Sequence, residues 1–338
     1  MNSFYKFLIF RILSLIPTIF GVIVITFILS HVVPGNPARI LVGPEFNQQE
    51  YLVIERELGL NKPLWDQFLI YLYSLAHFNL GYSFVEGNSV NTLIGEHFPA
   101  SFELAIASLV ISIPIALVTG IYSSLRANKA GDHGVRVFSL LAISMPVFWI
   151  EMIMIIVFYV NLGWAPAPDG QLSVYLAQPN TYTGMTILDS LLSLNIPDFI
   201  NSLWHIILPA LGLSLAGIAI ISRVLRSSML DVLNKDYMRT VFAIGLPKKI
   251  IVNKYALRNA LLPAITVGAI QAGALMGGVV LTESVFSWQG MGLLAYQAIL
   301  QLDYPTVMGV VLISALLFTL VNFAADLLYA YVDPRVRL

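Results

Sequence analysis

The chain of 338 residues has the composition of a protein that lies in a membrane. Hydrophobic residues make up 58% of it and charged residues only 11%, whereas about 25% of the residues in an ordinary soluble domain are charged. A formal net charge of −1 provides no overall positive field to attract nucleic acid, so no nucleic-acid partner is expected. The lack of cysteine excludes disulfides, thiolate zinc sites and cysteine nucleophiles.

Six apolar runs are long enough to cross about 30 Å of hydrocarbon as helices. They are residues 12–33, 104–125, 137–160, 203–222, 261–282 and 306–325. Among them only the third run contains an acidic or strongly basic residue, Glu151. The sequence therefore predicts an all-α polytopic membrane protein with six transmembrane helices.

The orientation follows from the distribution of basic residues. The N-terminus, the second-to-third and fourth-to-fifth connections and the C-terminal tail together hold 15 of the 18 Lys and Arg residues. Because basic residues near a span remain in the cytoplasm, both termini are predicted to be cytoplasmic. The chain is thus expected to be a multi-pass protein of the cell membrane.

The chain divides into four predicted regions. The first (1–33) holds the cytoplasmic N-terminus and first span, and the second (34–98) is an extracytoplasmic segment. The third (99–328) is a core of five spans with a cytoplasmic loop at 223–262, and the last (329–338) is a cytoplasmic tail. Apolar residues recur every three to four positions in two stretches of the extracytoplasmic segment, which predicts short amphipathic helices there. This segment is either a cap on the membrane domain or a docking surface for an external protein.

The sequence contains none of the motifs of the common hydrolases. It has no G-x-x-x-x-G-K-[ST] phosphate loop, no H-E-x-x-H pair and no G-x-S-x-G elbow. We therefore expect no enzyme, and no catalytic, cofactor-binding or metal-ligating residue in this chain. The functions that remain open for a protein with six spans are the passage of a solute and the anchoring of a partner.

The cytoplasmic loop between spans four and five is too polar for the membrane and is patterned as two helices. In the first helix Tyr237 and Val241 are four residues apart and form part of an apolar flank. Gly245 is predicted to end this helix in a left-handed conformation, and Pro247 to begin the next. The alternative is an interfacial helix whose lysines contact lipid headgroups.

Several stretches of this sequence together resemble ABC importer permeases of the oligopeptide/dipeptide-transporter family, in particular the first-permease subunit. The cytoplasmic loop carries the strongest similarity, at residues 236–246 and 256–263, and the resemblance covers nearly the whole chain. The other matching stretches are residues 59–64, 81–83, 144–149, 162–166 and 333–337. Val241, Phe242 and Ile244 depart from the family pattern, which has Ala, Arg and Lys at these positions.

The resemblance implies a type I ABC importer permease fold and a set of partners. These are a second, similar permease, two cytoplasmic ATPase subunits that bind ATP and Mg, and an extracytoplasmic substrate-binding protein. Tyr237, Val241 and Phe242 have no evident cover in this chain and are expected to face an ATPase cleft. The residues expected to dock the ATPase are Asp236, Tyr237, Arg239, Thr240, Ala243, Gly245 and Leu246.

Polar and small residues within the spans are candidates for the translocation path. Gly273 and Gly277 belong to a small-residue stripe of span five, which serves either close helix packing or a wider path. Gln271 would offer hydrogen bonds beside that path. An ionised Glu151 would be costly in hydrocarbon, so its side chain must face protein or water. It either pairs inside a subunit interface or contacts a substrate amine.

Two other functions compete with the importer permease. A secondary transporter acting without a nucleotide-binding partner would more typically show ionisable pairs and interrupted helices at the midplane. A membrane scaffold would not need the patterned loop at 236–263. The sequence does not distinguish peptides from oligosaccharides or metal chelates as the substrate.

Overall fold

The computed structural model describes residues 3–32, 48–57 and 60–332, apart from residue 178. The predicted helix stop at 34–37 and the matching stretch at 333–337 lie outside the described residues. Two-residue strands at Tyr82–Ser83 (β1) and Asn88–Ser89 (β2) pair antiparallel. The helices are α1 (Ser3–Val32), α2 (Gln48–Glu57), α3 (Leu64–Ala76), α4 (Val90–Leu125), α5 (Ala130–Ser144), α6 (Val147–Met154), α7 (Thr186–Leu192), α8 (Ile196–Leu233), α9 (Asp236–Ala243), α10 (Lys248–Ile250), α11 (Arg258–Met276), α12 (Val280–Val285), α13 (Met291–Leu300) and α14 (Tyr304–Val332).

The helices confirm the polytopic all-α architecture. Within the described residues five helices are long and apolar enough to span a membrane, and a bent pair makes a sixth if it is counted as one span. Two π-helical stretches, Ile155–Asn161 and Ile251–Leu257, extend α6 and join α10 to α11. The two amphipathic helices predicted in the extracytoplasmic segment correspond to α2 and α3.

The third span is not the continuous helix that its hydropathy predicts. The pair formed by Ala130–Ser144 and Val147–Asn161 bends by 104° at the break. Met145 has an extended backbone with ψ of 138°, as expected before proline. Pro146 precedes the first turn of α6, and its carbonyl accepts from the amides of Trp149 and Ile150. The bend therefore follows from the Met-Pro step.

Other span boundaries also differ from the prediction. The fifth span ends at Met276, and Thr282 lies in the separate helix α12. Gly278 separates the two with a φ of +89°, which terminates the helix because few other residues adopt this conformation. The 36-residue α4 is continuous across residues 98 and 99, where the sequence analysis divided the extracytoplasmic segment from the core.

Helix α8 lies at the centre of the bundle. It packs along α4 and also contacts α5, α6, α7 and α11. Small buried residues, including Gly212 and Gly217, let neighbouring helices approach it closely. The last helix α14 packs between α11 and the first helix α1. The cytoplasmic end of α8 leads directly into α9, which places the patterned loop.

Candidate functional site

Helix α9 ends as its sequence predicts. Lys235 precedes it with an extended backbone, and Gly245 follows it with a φ of +75°. The Gly245 amide donates to the carbonyl of Phe242 at 3.1 Å. A Cβ atom built on Gly245 would meet nothing within 4 Å. The glycine is therefore required by the backbone conformation, and its surface is open to a partner.

One face of α9 packs on this chain. Met238 is fully buried, and Val241 is 8% exposed. Both belong to an apolar cluster at the cytoplasmic end of the bundle, which we call the stem cluster. Its buried members are Ala116, Ile221, Leu225, Met229, Val232, Met238, Val241, Ile251, Val252, Ala256, Ala260 and Ala264. The expectation that Val241 lacks cover in this chain is wrong, because it lies on the same face as Met238, three residues away.

The residues of α9 other than Met238 and Val241 are exposed and partly apolar. The exposed fractions are 40% for Tyr237, 50% for Phe242 and 67% for Ile244. The Tyr237 hydroxyl accepts from the Asn259 side-chain amide at 3.1 Å, which fixes the position of the ring. Exposed apolar side chains at the end of a projecting helix are typical of a docking site.

The remaining predicted docking residues lie around these side chains. Arg239 and Asp236 form an exposed ion pair at 3.3 Å, one turn apart on the helix. Thr240 and Ala243 are also exposed, whereas Leu246 is half-buried and packs against the stem cluster. Leu246 therefore contributes mainly to the attachment of the helix. We call the exposed residues the docking face, although their docking role stays a prediction: Asp236, Tyr237, Arg239, Thr240, Phe242, Ala243, Ile244 and Gly245.

A buried ion pair at the cytoplasmic end was not predicted. Asp132, the third residue of α5, is fully buried and accepts two bonds of 2.6 Å from the Arg226 guanidinium of α8. The Ser123 hydroxyl donates to Oδ1, and the Asn128 amide donates to Oδ2 at 2.9 Å. The pair is 94 residues apart in sequence, so no local pattern reveals it. A lone aspartate in a basic connection was the only signal.

Glu151 is enclosed by helices of this chain. Its side chain is fully buried, and Oε1 accepts from the Thr282 hydroxyl at 2.9 Å. Its Oε2 atom is buried without a hydrogen-bond partner. A Cβ atom on Gly212 of α8 would lie 2.5 Å from Glu151 Cγ, so the glycine makes room for the carboxylate. Its place on a translocation path stays a prediction.

The small-residue stripe of span five packs against the last helix. Cβ atoms built on Gly273 and Gly277 would lie 2.8 Å from Phe318 and 3.2 Å from Ser314 of α14. The Ser314 hydroxyl also donates to the Gly277 carbonyl at 2.8 Å. These contacts favour close helix packing as the role of the glycines. Gln271 is half-buried on the same helix, and the path assignment of all three residues stays a prediction.

The segment between spans five and six contains another buried carboxylate that the sequence did not reveal. Glu283 accepts from the Ser101 hydroxyl at 2.7 Å and from the Leu293 amide at 2.9 Å. Trp288 is buried nearby and donates from its indole nitrogen to the Ala100 carbonyl. The segment is thereby attached to α4, next to Thr282, the partner of Glu151.

The described residues were also compared with the requirements of a metal site. Within residues 3–32, 48–57 and 60–332 no group of three or more His, Asp or Glu side chains is placed to hold a metal ion. The expectation of a chain without its own cofactor stays a prediction.

Comparison with known families matches almost the whole chain. Residues 112–338 match the family described as "Binding-protein-dependent transport system inner membrane component", and residues 4–105 match the corresponding N-terminal family. The docking face, Glu151 and the span-five stripe all lie within the first match. The second match includes the predicted extracytoplasmic segment.

Curated relatives are similar over their full lengths. The probable D,D-dipeptide transport system permease protein DdpB of Escherichia coli K12 is 42% identical, over 99% of this chain and 98% of the relative. The di/tripeptide transport system permease protein DppB of Pseudomonas aeruginosa is 40% identical, over 97% of both chains. The glutathione transport system permease protein GsiC of E. coli O6:H1 is 34% identical, over 98% and 99%.

Proposed function

Because the chain belongs to the family of binding-protein-dependent transport system inner membrane components, we propose that it forms half of the path by which an importer takes up small peptides. The chain is a multi-pass permease subunit of an ABC transporter in the cell membrane. Its relatives are named for dipeptides, di/tripeptides and glutathione. Their shared chemistry supports a small peptide or a similar solute as the cargo. These findings support the permease, and not a secondary transporter that works alone.

Two cytoplasmic ATPase subunits bind ATP and Mg and supply the energy in this proposal. The observation that carries it is the two-sided construction of α9. Met238 and Val241 attach the helix to the stem cluster, while Tyr237, Phe242 and Ile244 remain exposed. A helix that is attached through two buried side chains and leaves its other apolar side chains exposed suits a partner that binds the exposed ones and moves the helix together with the stem cluster.

The other partners complete the importer. A second, similar permease supplies the other half of the path, and a substrate-binding protein delivers cargo from outside. Helix α3 of the extracytoplasmic segment exposes Leu64, Trp65 and Tyr73, each by more than 60%. Aromatic side chains of this kind are enriched at protein interfaces. Of the two roles open to the extracytoplasmic segment, this exposed surface favours docking of the binding protein. A cap that packs only on the membrane domain would not need it.

The experiment compares two substitutions at Gly245 in complexes reconstituted with the ATPases and the binding protein. Gly245→Val places a β-branched residue in a left-handed conformation, whereas Gly245→Asn tolerates that conformation. We expect the Val variant to insert normally but to retain less ATPase and to lose substrate-stimulated hydrolysis. The Asn variant should retain both, since its Cβ meets no atom of the described residues within 4 Å.

Loss in the Val variant with recovery in the Asn variant is expected from both docking and simple helix termination, so a second variant separates them. Normal ATPase retention and coupling in the Val variant would contradict the proposal. Phe242→Ser is the second variant, because it leaves the Gly245 backbone unchanged and removes only an exposed ring. Retention of the ATPase by this variant at the level of the unsubstituted chain would also count against docking through α9.

A further inference from the structure

We propose that the Asp132–Arg226 ion pair carries the movement of α9 into the bent third span, so that both residues are positioning residues for transport. The inference rests on the proposed docking of the ATPase to α9. It adds the route by which a displacement at the cytoplasmic surface reaches the membrane interior. Three observations support this route: the composition of the stem cluster, the geometry of the pair and its place in the chain.

The stem cluster makes one packed unit of the elements around α9. Its buried members come from α4, α8, α9, α11 and the π-helical stretch Ile251–Leu257, and its half-buried neighbours come from the same region. Among the residues that the structure describes, α5 contributes no member to this cluster. The apolar cluster that fastens α9 to α8 therefore does not include α5, although α5 also contacts α8 and α4.

The ion pair adds a rigid polar link between the third span and that unit. Arg226 Nε and Nη2 donate to the two separate oxygens of Asp132, each at 2.6 Å. A bidentate guanidinium fixes both distance and orientation, unlike a single hydrogen bond. Ser123 and Asn128 also donate to the carboxylate, so its rotation would break several bonds at once. The contact is a stiff joint between α8 and α5.

The positions of the two residues place the ion pair between the stem cluster and the end of α5 that lies far from the bend. Arg226 precedes Met229 by three residues, so the ion pair and the stem cluster are adjacent along α8. Asp132 lies at the first turn of α5, and the other end of α5 meets the 104° bend. Beyond the bend, α6 carries Glu151 to its contact with Thr282. A shift of α8 at Arg226 is thus applied to the end of a helix whose far end is a hinge.

The test measures movement at two sites in the same complex. Because the chain has no cysteine, spin labels attach only where cysteines are introduced, provided the partner subunits also lack cysteine. One pair of labels at Asn234 and Leu320 reports the end of α8 beside α9. A second pair at Phe138 and Leu320 reports α5. Distances are measured with and without a non-hydrolysable ATP analogue.

In the unsubstituted chain we expect both distances to change when the analogue binds. In Asp132→Asn the Asn234 distance should still change, whereas the Phe138 change should fall to less than half. ATP hydrolysed per substrate transported should rise several-fold in the same variant. A Phe138 change equal to that of the unsubstituted chain would overturn the proposal, and it would leave the pair as a static brace.

Milder variants keep the test decisive if Asp132→Asn does not assemble. Arg226→Lys keeps the charge but loses the bidentate fork, and Ser123→Ala removes one of the donors. Movement at Phe138 should decrease in the order unsubstituted, Ser123→Ala, Arg226→Lys. Asp326→Asn is the matched control, because it weakens the Arg11–Asp326 pair between α14 and α1. The changes in both label distances should be the same in this variant as in the unsubstituted chain. An unchanged Asn234 distance in the unsubstituted chain would instead contradict docking through α9.

Discussion

Asp132 and Glu151 are both fully enclosed by this chain, but the donors around them differ. Asp132 receives an arginine fork, a hydroxyl and a backbone amide on its two oxygens. Glu151 receives one hydroxyl on Oε1, and its Oε2 has no partner. A carboxylate with all its bonds made is a fixed point of the structure, because any movement breaks strong bonds. A carboxylate with one bond made is held mainly by its surroundings.

This difference predicts the largest loss of stability at the cytoplasmic pair. Arg226→Met leaves the Asp132 carboxylate buried without its guanidinium, which should cost about 3 kcal/mol, the low end for a broken buried pair because Arg226 is partly exposed. Thermal unfolding of the chain in detergent, followed by the loss of the monodisperse fraction, would measure the effect. Arg226→Lys should lose less, since it retains a positive charge. Equal stability of the Met variant would show that the pair is not a fixed point.

A smaller loss of stability is expected at the close contact between Gly212 and Glu151. Gly212→Ala brings a methyl group against Glu151 Cγ, and such overpacking costs about 1–3 kcal/mol. Adding Glu151→Ala removes the clashing atoms, so the double variant should recover part of the loss. The same thermal assay applied to both single variants and the double variant yields the coupling between them. Strict additivity would contradict the close contact between Gly212 and Glu151.

The smallest effect on stability is expected at the docking face. Phe242→Ser should change the free energy of unfolding by no more than about 0.5 kcal/mol, as is usual for a surface substitution, because the ring is half exposed. Val241→Ser is the matched variant on the buried face and should destabilise the isolated chain clearly. Similar losses in the two variants would mean that α9 has no free face.

The end of α9 was predicted correctly because its signals are local. Gly245 needs a positive φ and Pro247 lacks an amide hydrogen, so both ends of the predicted turn depend on single residues. The same reasoning misassigned Val241, because a helical pattern shows which residues share a face but not which face another helix covers. Hydropathy likewise identified an apolar third span without its bend, since it measures composition and not direction.

The contacts between distant residues were beyond the sequence for a different reason. Asp132 and Arg226, or Glu151 and Thr282, meet only after the spans have packed, and one sequence contains no record of which spans are neighbours. Glu283 gave no local signal either, because its donors include a side chain 182 residues away. For Glu151, the cost of a charge in hydrocarbon correctly required an enclosed environment, while the identity of its neighbours came from the fold.

The length of α8 has a mechanical consequence. At 1.5 Å per residue its 38 residues extend about 57 Å along their path, longer than the roughly 40–45 Å of a bilayer with its headgroups. The polar residues Arg223, Arg226 and Asp231 near its C-terminal end indicate that the excess emerges into the cytoplasm. A tilt of α8 about a point in the bilayer would therefore move its cytoplasmic tip further than the part inside the membrane. In the same way, a large displacement of the tip would produce a smaller displacement of the segment inside the membrane.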